Sequence, residues 1–187
     1  MQTASKKVIT SWAMYDWANS AYSLIITSAI FPAYYTFIAP EKVNFIGRTF
    51  ERSSLASYSI SFSFLIIAIL SPILSSIADY KGNKKAFMQF FCYLGSPACI
   101  GLTFVTKANV SLGIIFSIFG SIGFCGSIVF YNAYLPEIAA EADQDRVSAK
   151  GFAMGYVGSV ILMVVCLAAI MLNDGLHWGW GAWPTRL

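Results

Sequence analysis

Apolar residues run through this chain in long blocks, and the charged residues fall almost entirely between them. Asp, Glu, Lys and Arg are absent from 17–40, 53–78, 86–106, 108–136 and 151–173, windows of 24, 26, 21, 29 and 23 residues. A helix rises about 1.5 Å per residue, so roughly 20 residues cross a hydrocarbon layer of about 30 Å. Each window reaches that length. Membrane barrel strands would need only about 9–11 residues of alternating polarity, whereas Phe64-Leu-Ile-Ile-Ala-Ile-Leu70 is continuously apolar. The pattern predicts an all-α, polytopic transmembrane bundle. Its helices cover about 12–39, 55–78, 86–106, 110–135 and 151–172, so residues 1–187 form one membrane unit.

Local signals set the ends of these helices. Thr10 or Ser11 can cap the first, and Pro32 and Pro72 remove backbone donors within the first and second. Residues 41–52 read as a charged outer loop. The turn Asp79–Lys85 is so short that the second and third helices must lie antiparallel. The fourth helix ends at Pro136, a charged inner segment spans 137–150, and 173–187 is too short to cross again.

Composition agrees with lipid as the solvent: 57% of residues are hydrophobic and 11% charged, against about 25% charged in a soluble domain. With the N-terminus inside, seven cations (Lys6, Lys7, Lys81, Lys84, Lys85, Arg146 and Lys150) face the cytoplasm and four (Lys42, Arg48, Arg52 and Lys107) face out. That excess favours a cytoplasmic N-terminus, in the inner (plasma) membrane if the chain is bacterial. The net charge of +3 suits lipid-facing loops and calls for no nucleic-acid partner. Lys6 and Lys7 precede an apolar stretch longer than the roughly 7–15 residues of a signal-peptide core, so the first helix is expected to stay as an anchor. Trp12, Trp17, Trp178, Trp180 and Trp183 mark helix ends as an interfacial belt would, and His177 sits among the last three. Cys92, Cys99, Cys125 and Cys166 form no metal-ligand spacing and read as small buried hydrophobes. No cofactor or metal is expected.

Small residues recur at helical spacing: Gly113, Ser117 and Ser121; Gly123 and Ser127; Gly151, Gly155 and Ser159. Such stripes let helix backbones approach closely in lipid.

Three polar groups carry candidate chemistry. In the first helix, spacings of three and four put Asp16, Asn19 or Ser20, Ser23 and Thr27 on one stripe. An intramembrane carboxylate is a functional candidate, and Asp16 can serve coupling or solute passage, or fix the helix structurally. Asn19, one turn deeper, is the better candidate for lining a path. In the turn after the second helix, Asp79 can accept bonds from free amides or pair with a cation, Gly82 permits a tight turn, and Lys84 and Lys85 open the third helix. The bland reading is a charged turn. At the end of the fourth helix, Tyr131-Asn132-Ala-Tyr134-Leu-Pro136-Glu137 precedes Arg146 and Lys150. Glu137 can pair with either cation, as a gate element or in a solvated loop.

Ser75–Lys85 resembles the loop 2–3 signature of the major facilitator superfamily, Gly-x-x-x-Asp-Arg-x-Gly-Arg-Arg/Lys. Asp79, Gly82, Lys84 and Lys85 match it; Ser75 and Tyr80 replace the first Gly and the first Arg. Trp12–Ser20, Tyr131–Glu137 and Ser148–Tyr156 are similar to a narrower branch, the vacuole-effluxer-like permeases related to the autophagy-linked amino-acid effluxer of fungal vacuoles. The resemblance implies twelve helices in two halves, alternating access, and a solute path between the halves near the midplane. It implies a cytoplasmic latch on Asp79, Gly82, Lys84 and Lys85. It also implies an N-terminal fragment stopping after the fifth helix, with the C-terminal half-bundle absent.

The expected function is secondary transport of a small polar solute such as an amino acid, with a coupling ion as a further partner. The alternative is a non-transporting membrane assembly or sensor protein that uses the small-residue faces. An enzyme is not expected. Asp79 stands alone in its turn, and Glu137, Glu141, Asp143 and Asp145 read as a solvated acidic face.

Overall fold

In the computed structural model, residues 3–176 are described, with side chains through residue 172. His177, Trp178, Trp180 and Trp183 therefore lie outside the described residues. Five long helices occur among those described. They are α1 (Lys6–Ile38), α2 (Arg52–Lys81), α3 (Lys84–Leu102), α4 (Val110–Ala133) and α5 (Gln144–Leu176). Strands β1 (Lys42–Phe45) and β2 (Arg48–Glu51) form an antiparallel hairpin between α1 and α2.

Four of the helical segments are long and apolar enough to cross a membrane: Lys6–Ile38, Arg52–Lys81, Val110–Ile138 and Glu141–Leu172. The 19-residue α3 is not among them. Lys84, Lys85, Gln89, Ser96 and Pro97 dilute its apolar content.

α4 is the hub. In its most apolar window 56% is buried, against 11–22% in the other three spans. It packs on α3, α2 and α1, and α5 packs along α1. Its glycines explain this centrality. A Cβ on Gly123 would lie 2.5 Å from Gly95 Cα of α3, so the two backbones are in contact. On the α2 side, Ser63 Oγ donates to Ser59 O (2.8 Å) and Ile118 O (3.2 Å), giving a buried hydroxyl two acceptors. Large apolar side chains on α2 and α5, such as Leu65, Ile69, Val164 and Met171, point outward. An outward apolar surface of this extent fits lipid and not water.

Several ends differ from the sequence expectation. α1 begins at Lys6 rather than near Trp12, with Ser5 as an N-cap that makes no side-chain bond. The preceding residues are tied down instead: Ala4 N–H donates to Ile138 O (2.8 Å) and Thr3 Oγ1 to Asp143 Oδ2 (2.5 Å). Pro32 lies in the first turn of the segment Phe31–Ile38, and the backbone irregularity lies on its N-terminal side. Tyr22–Ile30 is π-helical, and Phe31 N–H reaches back five residues to Ile26 O. α5 starts at Gln144, absorbing half of the expected inner loop. The loop between α1 and α2 holds the hairpin, turned by Ile46 (φ 50°) and Gly47 (φ 73°), a two-residue turn whose positive φ values match strand twist.

Candidate functional site

The α2–α3 turn closes by a Schellman arrangement. Gly82 adopts φ 60°, its N–H donates to Asp79 O (3.2 Å), and Asn83 N–H donates to Ala78 O (3.1 Å). The chain therefore reverses within two residues, and Lys84 returns over the end of α2. Its Nζ lies 2.9 Å from Asp79 Oδ1 and 2.8 Å from Glu137 Oε1, and donates to Ala133 O at 3.2 Å. One ammonium thus joins α2, α3 and the end of α4. The Lys84 side chain is only 15% exposed, while both carboxylates are about half or more exposed. Glu137, and after it Asp79, push the ammonium above the ordinary lysine value, against the opposing effect of partial burial.

This cluster merges two groups that the sequence kept apart. Glu137 pairs with Lys84 and not with Arg146 or Lys150. Arg146 Nη2 bonds Asp143 Oδ1 at 2.9 Å, and Lys150 Nζ donates to Thr10 Oγ1 at 3.0 Å. The reason is geometric: the helical turn Leu135–Ile138, with Pro136 in its first turn, carries Glu137 back toward α3. Lys85 is exposed, with no ion pair among the described residues.

The polar stripe of α1 splits between two neighbours. Asp16 is buried (5% exposed) and accepts Ser20 Oγ at 3.0 Å. It faces α5, where a Cβ on Gly155 would meet Ser20 Oγ at 2.6 Å and Asp16 Oδ2 at 3.0 Å. Asn19 faces α4 and accepts Ser127 Oγ at 3.4 Å, while its Nδ2 is buried without a partner. Ser23 is half-buried, its carbonyl accepting Ser28 Oγ at 3.0 Å, and Asn132 is exposed.

Asn19 also borders a cleft of about 300 Å³ between α1, α3 and α4, with Tyr22, Cys92, Ser96, Cys99 and Ser127 on its walls. Nearby, Trp12 stacks on Tyr131 (centroids 4.2 Å apart, planes within 9°) and donates from Nε1 to Tyr131 O at 3.1 Å. The Tyr131 hydroxyl is buried without a hydrogen-bond partner. The Tyr15 hydroxyl lies 2.9 Å from Cys92 Sγ. The sequence reading did not single out Gly95, Cys92 as a tyrosine partner, or the Trp12–Tyr131 stack. The aromatic spacing Trp12, Tyr15 was the available signal, one face of a helix.

The described residues contain no His, Cys, Asp or Glu group able to hold a metal ion. What the geometry offers is ionic fastening at one end and a polar seam within the bundle.

A family model described as vacuole effluxer Atg22 like matches residues 4–144. An uncharacterized MFS-type transporter, YxiO of Bacillus subtilis, is 41% identical over 163 residues, covering 87% of this chain and 37% of that protein. Autophagy-related protein 22 of Pyricularia oryzae is 26% identical over 161 residues, 71% of this chain and 24% of that protein. The same-named protein of Gibberella zeae is 32% identical over 90 residues, 48% of this chain and 14% of its own length. The chain thus spans between 14% and 37% of the length of these curated relatives, whose names describe transport or autophagy rather than an enzyme. No solved structure matches it. The chain is a multi-pass membrane protein, and by the match over 4–144 it belongs to the vacuole effluxer Atg22-like family of the major facilitator superfamily.

Proposed function

We propose that these residues are the N-terminal helical unit of a secondary transporter that moves a small polar solute, an amino acid in the first instance, by alternating access. A C-terminal half-bundle completes it. α3, at 19 residues and about 28 Å, crosses the membrane as a fifth span, and the N-terminus lies in the cytoplasm. The ends of α2, α3 and α4 then form the cytoplasmic gate, with Asp79, Gly82, Lys84 and Lys85 as its elements and Glu137 as an added member. Asn19, Ser23 and Asn132 contribute to the solute path.

The observation that carries this reading is the three-way contact of Lys84 with Asp79, Glu137 and the carbonyl of Ala133. Exposed ion pairs stabilise little, about 0–1 kcal/mol each, so a nearly buried lysine shared by two helix ends serves position more than stability. A device that makes and breaks such contacts can switch between states of similar energy.

The test is flux of a panel of radiolabelled amino acids in proteoliposomes containing the full-length protein. Saturable flux is expected in the wild type, and its loss is expected in Lys84→Gln at equal reconstitution. Wild-type flux in Lys84→Gln would remove the gate role. Absence of flux for every amino acid would remove the substrate class.

A further inference from the structure

The hairpin between α1 and α2 roofs a groove that neither the ionic cluster nor the polar seam uses. Strand alternation puts Val43, Phe45, Arg48 and Phe50 on one face of the hairpin, with Phe45 directly opposite Arg48. Lys42, Asn44, Thr49 and Glu51 share the other face. The first face turns toward the bundle. Val43 is buried, and Phe45 and Phe50 pack on a core that includes Tyr35, Leu55 and Ile114. Beside that face, α2 and α4 leave a groove of about 410 Å³ walled by Phe45, Phe50, Tyr58, Phe62 and Ile118. Arg48 also lines it and is the one charged residue among its described walls.

The cations near this end of the bundle are otherwise engaged. Arg52 donates to Ala39 O at 3.2 Å, Lys107 lies 5.7 Å from the centre of the Phe37 ring, and Lys42 stands opposite Glu51 in the strand register. Arg48 makes no hydrogen bond or ion pair among the described residues. An apolar groove thus carries an exposed guanidinium with no counter-charge.

We propose that this groove binds an anionic phospholipid, with its phosphate on Arg48 and an acyl chain against the aromatic walls. The hairpin leads directly into α2, a 30-residue span, so Arg48 sits where that span leaves the hydrocarbon, at the depth of headgroups. A guanidinium there can hold two phosphate oxygens at once. The groove takes only part of a chain, and apolar surface continues from it down α2. Tyr58, Phe62, Leu65 and Ile69 follow at spacings of four, three and four, each more than half exposed. A water-soluble anion would leave the aromatic walls wet, and an apolar protein segment would leave Arg48 unpaired. A phospholipid satisfies both. A zwitterionic headgroup also brings an ammonium, which no carboxylate in the groove can receive; a net anionic one does not. The site needs the membrane and is independent of the transport reading.

The test uses the full-length protein in phosphatidylcholine vesicles. These carry a trace of phosphatidylglycerol with a diazirine on one acyl chain, or the same trace of phosphatidylcholine so labelled. After irradiation, adducts on Phe50, Tyr58 and Phe62 are counted by mass spectrometry relative to those on Ile69, which reports lipid contact of any kind. The wild-type ratio is expected to be higher for phosphatidylglycerol than for phosphatidylcholine. In Arg48→Gln the phosphatidylglycerol ratio should fall about five- to tenfold, the loss of one charge-assisted contact near water. Lys42→Gln removes a cation from the opposite face of the same hairpin and should leave the ratio unchanged. Equal wild-type ratios for the two lipids would overturn the anionic site with no variant required. An unchanged ratio in Arg48→Gln, or an equal fall in Lys42→Gln, would overturn the Arg48 contact. A groove free of adducts from both lipids would mean that protein covers it, and would overturn the proposal as a whole.

Discussion

Lys84 is the residue on which three helix ends depend, and its removal has a calculable effect. In Lys84→Gln the carboxylates of Asp79 and Glu137, 61% and 49% exposed, remain solvated rather than stranded. The loss of two partly exposed pairs and one carbonyl contact should therefore cost about 1–2 kcal/mol. The pH dependence has a definite sign. The folded-state value of Lys84 is raised above the ordinary one. Its contribution is thus complete below about pH 10 and lost as pH rises through the higher folded value. In thermal melts of the purified protein, the gap between wild type and Lys84→Gln should stay constant from pH 7 to about 9 and close only in stronger alkali. A gap closing between pH 7 and about 9 would mean that another group carries the effect. The turn that places Lys84 was legible in the sequence, because Gly82 and the flanking Asp79 and basic pair mark a tight reversal. Its partner across the bundle was not. Glu137 is 53 positions away in sequence, and nearby Arg146 and Lys150 were equally plausible cations until the turn at Pro136 aimed Glu137 at α3.

At the scale of helices, small residues decide which pairs touch. The stripes on α4 and α5 could be read in the sequence as close-packing faces, but the helix each would meet could not. Gly123 meets Gly95, and Gly155 meets Asp16 and Ser20. The consequence can be graded. A Cβ at Gly123 would strike backbone atoms of Gly95 at 2.5–2.6 Å, which cannot rotate away. At Gly101 it would strike the ring of Phe116 at 2.7 Å, and that side chain is only half-buried. Gly123→Ala should thus destabilise the bundle by about 1–3 kcal/mol, as overpacking of a tight core does, and Gly101→Ala by less. Melting of the two variants in detergent checks the order, and equal losses would mean that α3 yields as a body. The hairpin was illegible for the opposite reason. Its turn uses Ile46 at positive φ, a conformation disfavoured for a β-branched residue, where Asn-Gly would have announced it.

For the whole molecule, the charge-free windows fall on the five long helices, four of which are long and apolar enough to cross a membrane, and lipid excludes charge from the interior of such a segment. The polar ends of α1 and α5 went unseen, since helix continues into water wherever tertiary contacts hold it, as Thr3 and Ala4 do at α1. The proposed orientation rests on the same charges and has a decisive test. α2 has 30 residues, about 45 Å of helix, with the hairpin at one end and the α2–α3 turn at the other. Ile46 at the hairpin tip is 88% exposed and Tyr80 beside the turn is 91% exposed. If the N-terminus is cytoplasmic, Ile46→Cys in the full-length protein should react with an impermeant maleimide on intact cells, and Tyr80→Cys only after permeabilisation. The background requires Cys92, Cys99, Cys125 and Cys166 to be replaced by alanine or serine. Ile69→Cys, on the outward apolar face of α2, should resist the reagent in both conditions because lipid shields it. Exchange of the first two results would invert the topology and move Lys84 and its carboxylates to the outer face. Ready labelling of Ile69→Cys would place that face against water, and with it remove the bilayer as the reason for the bundle's apolar exterior.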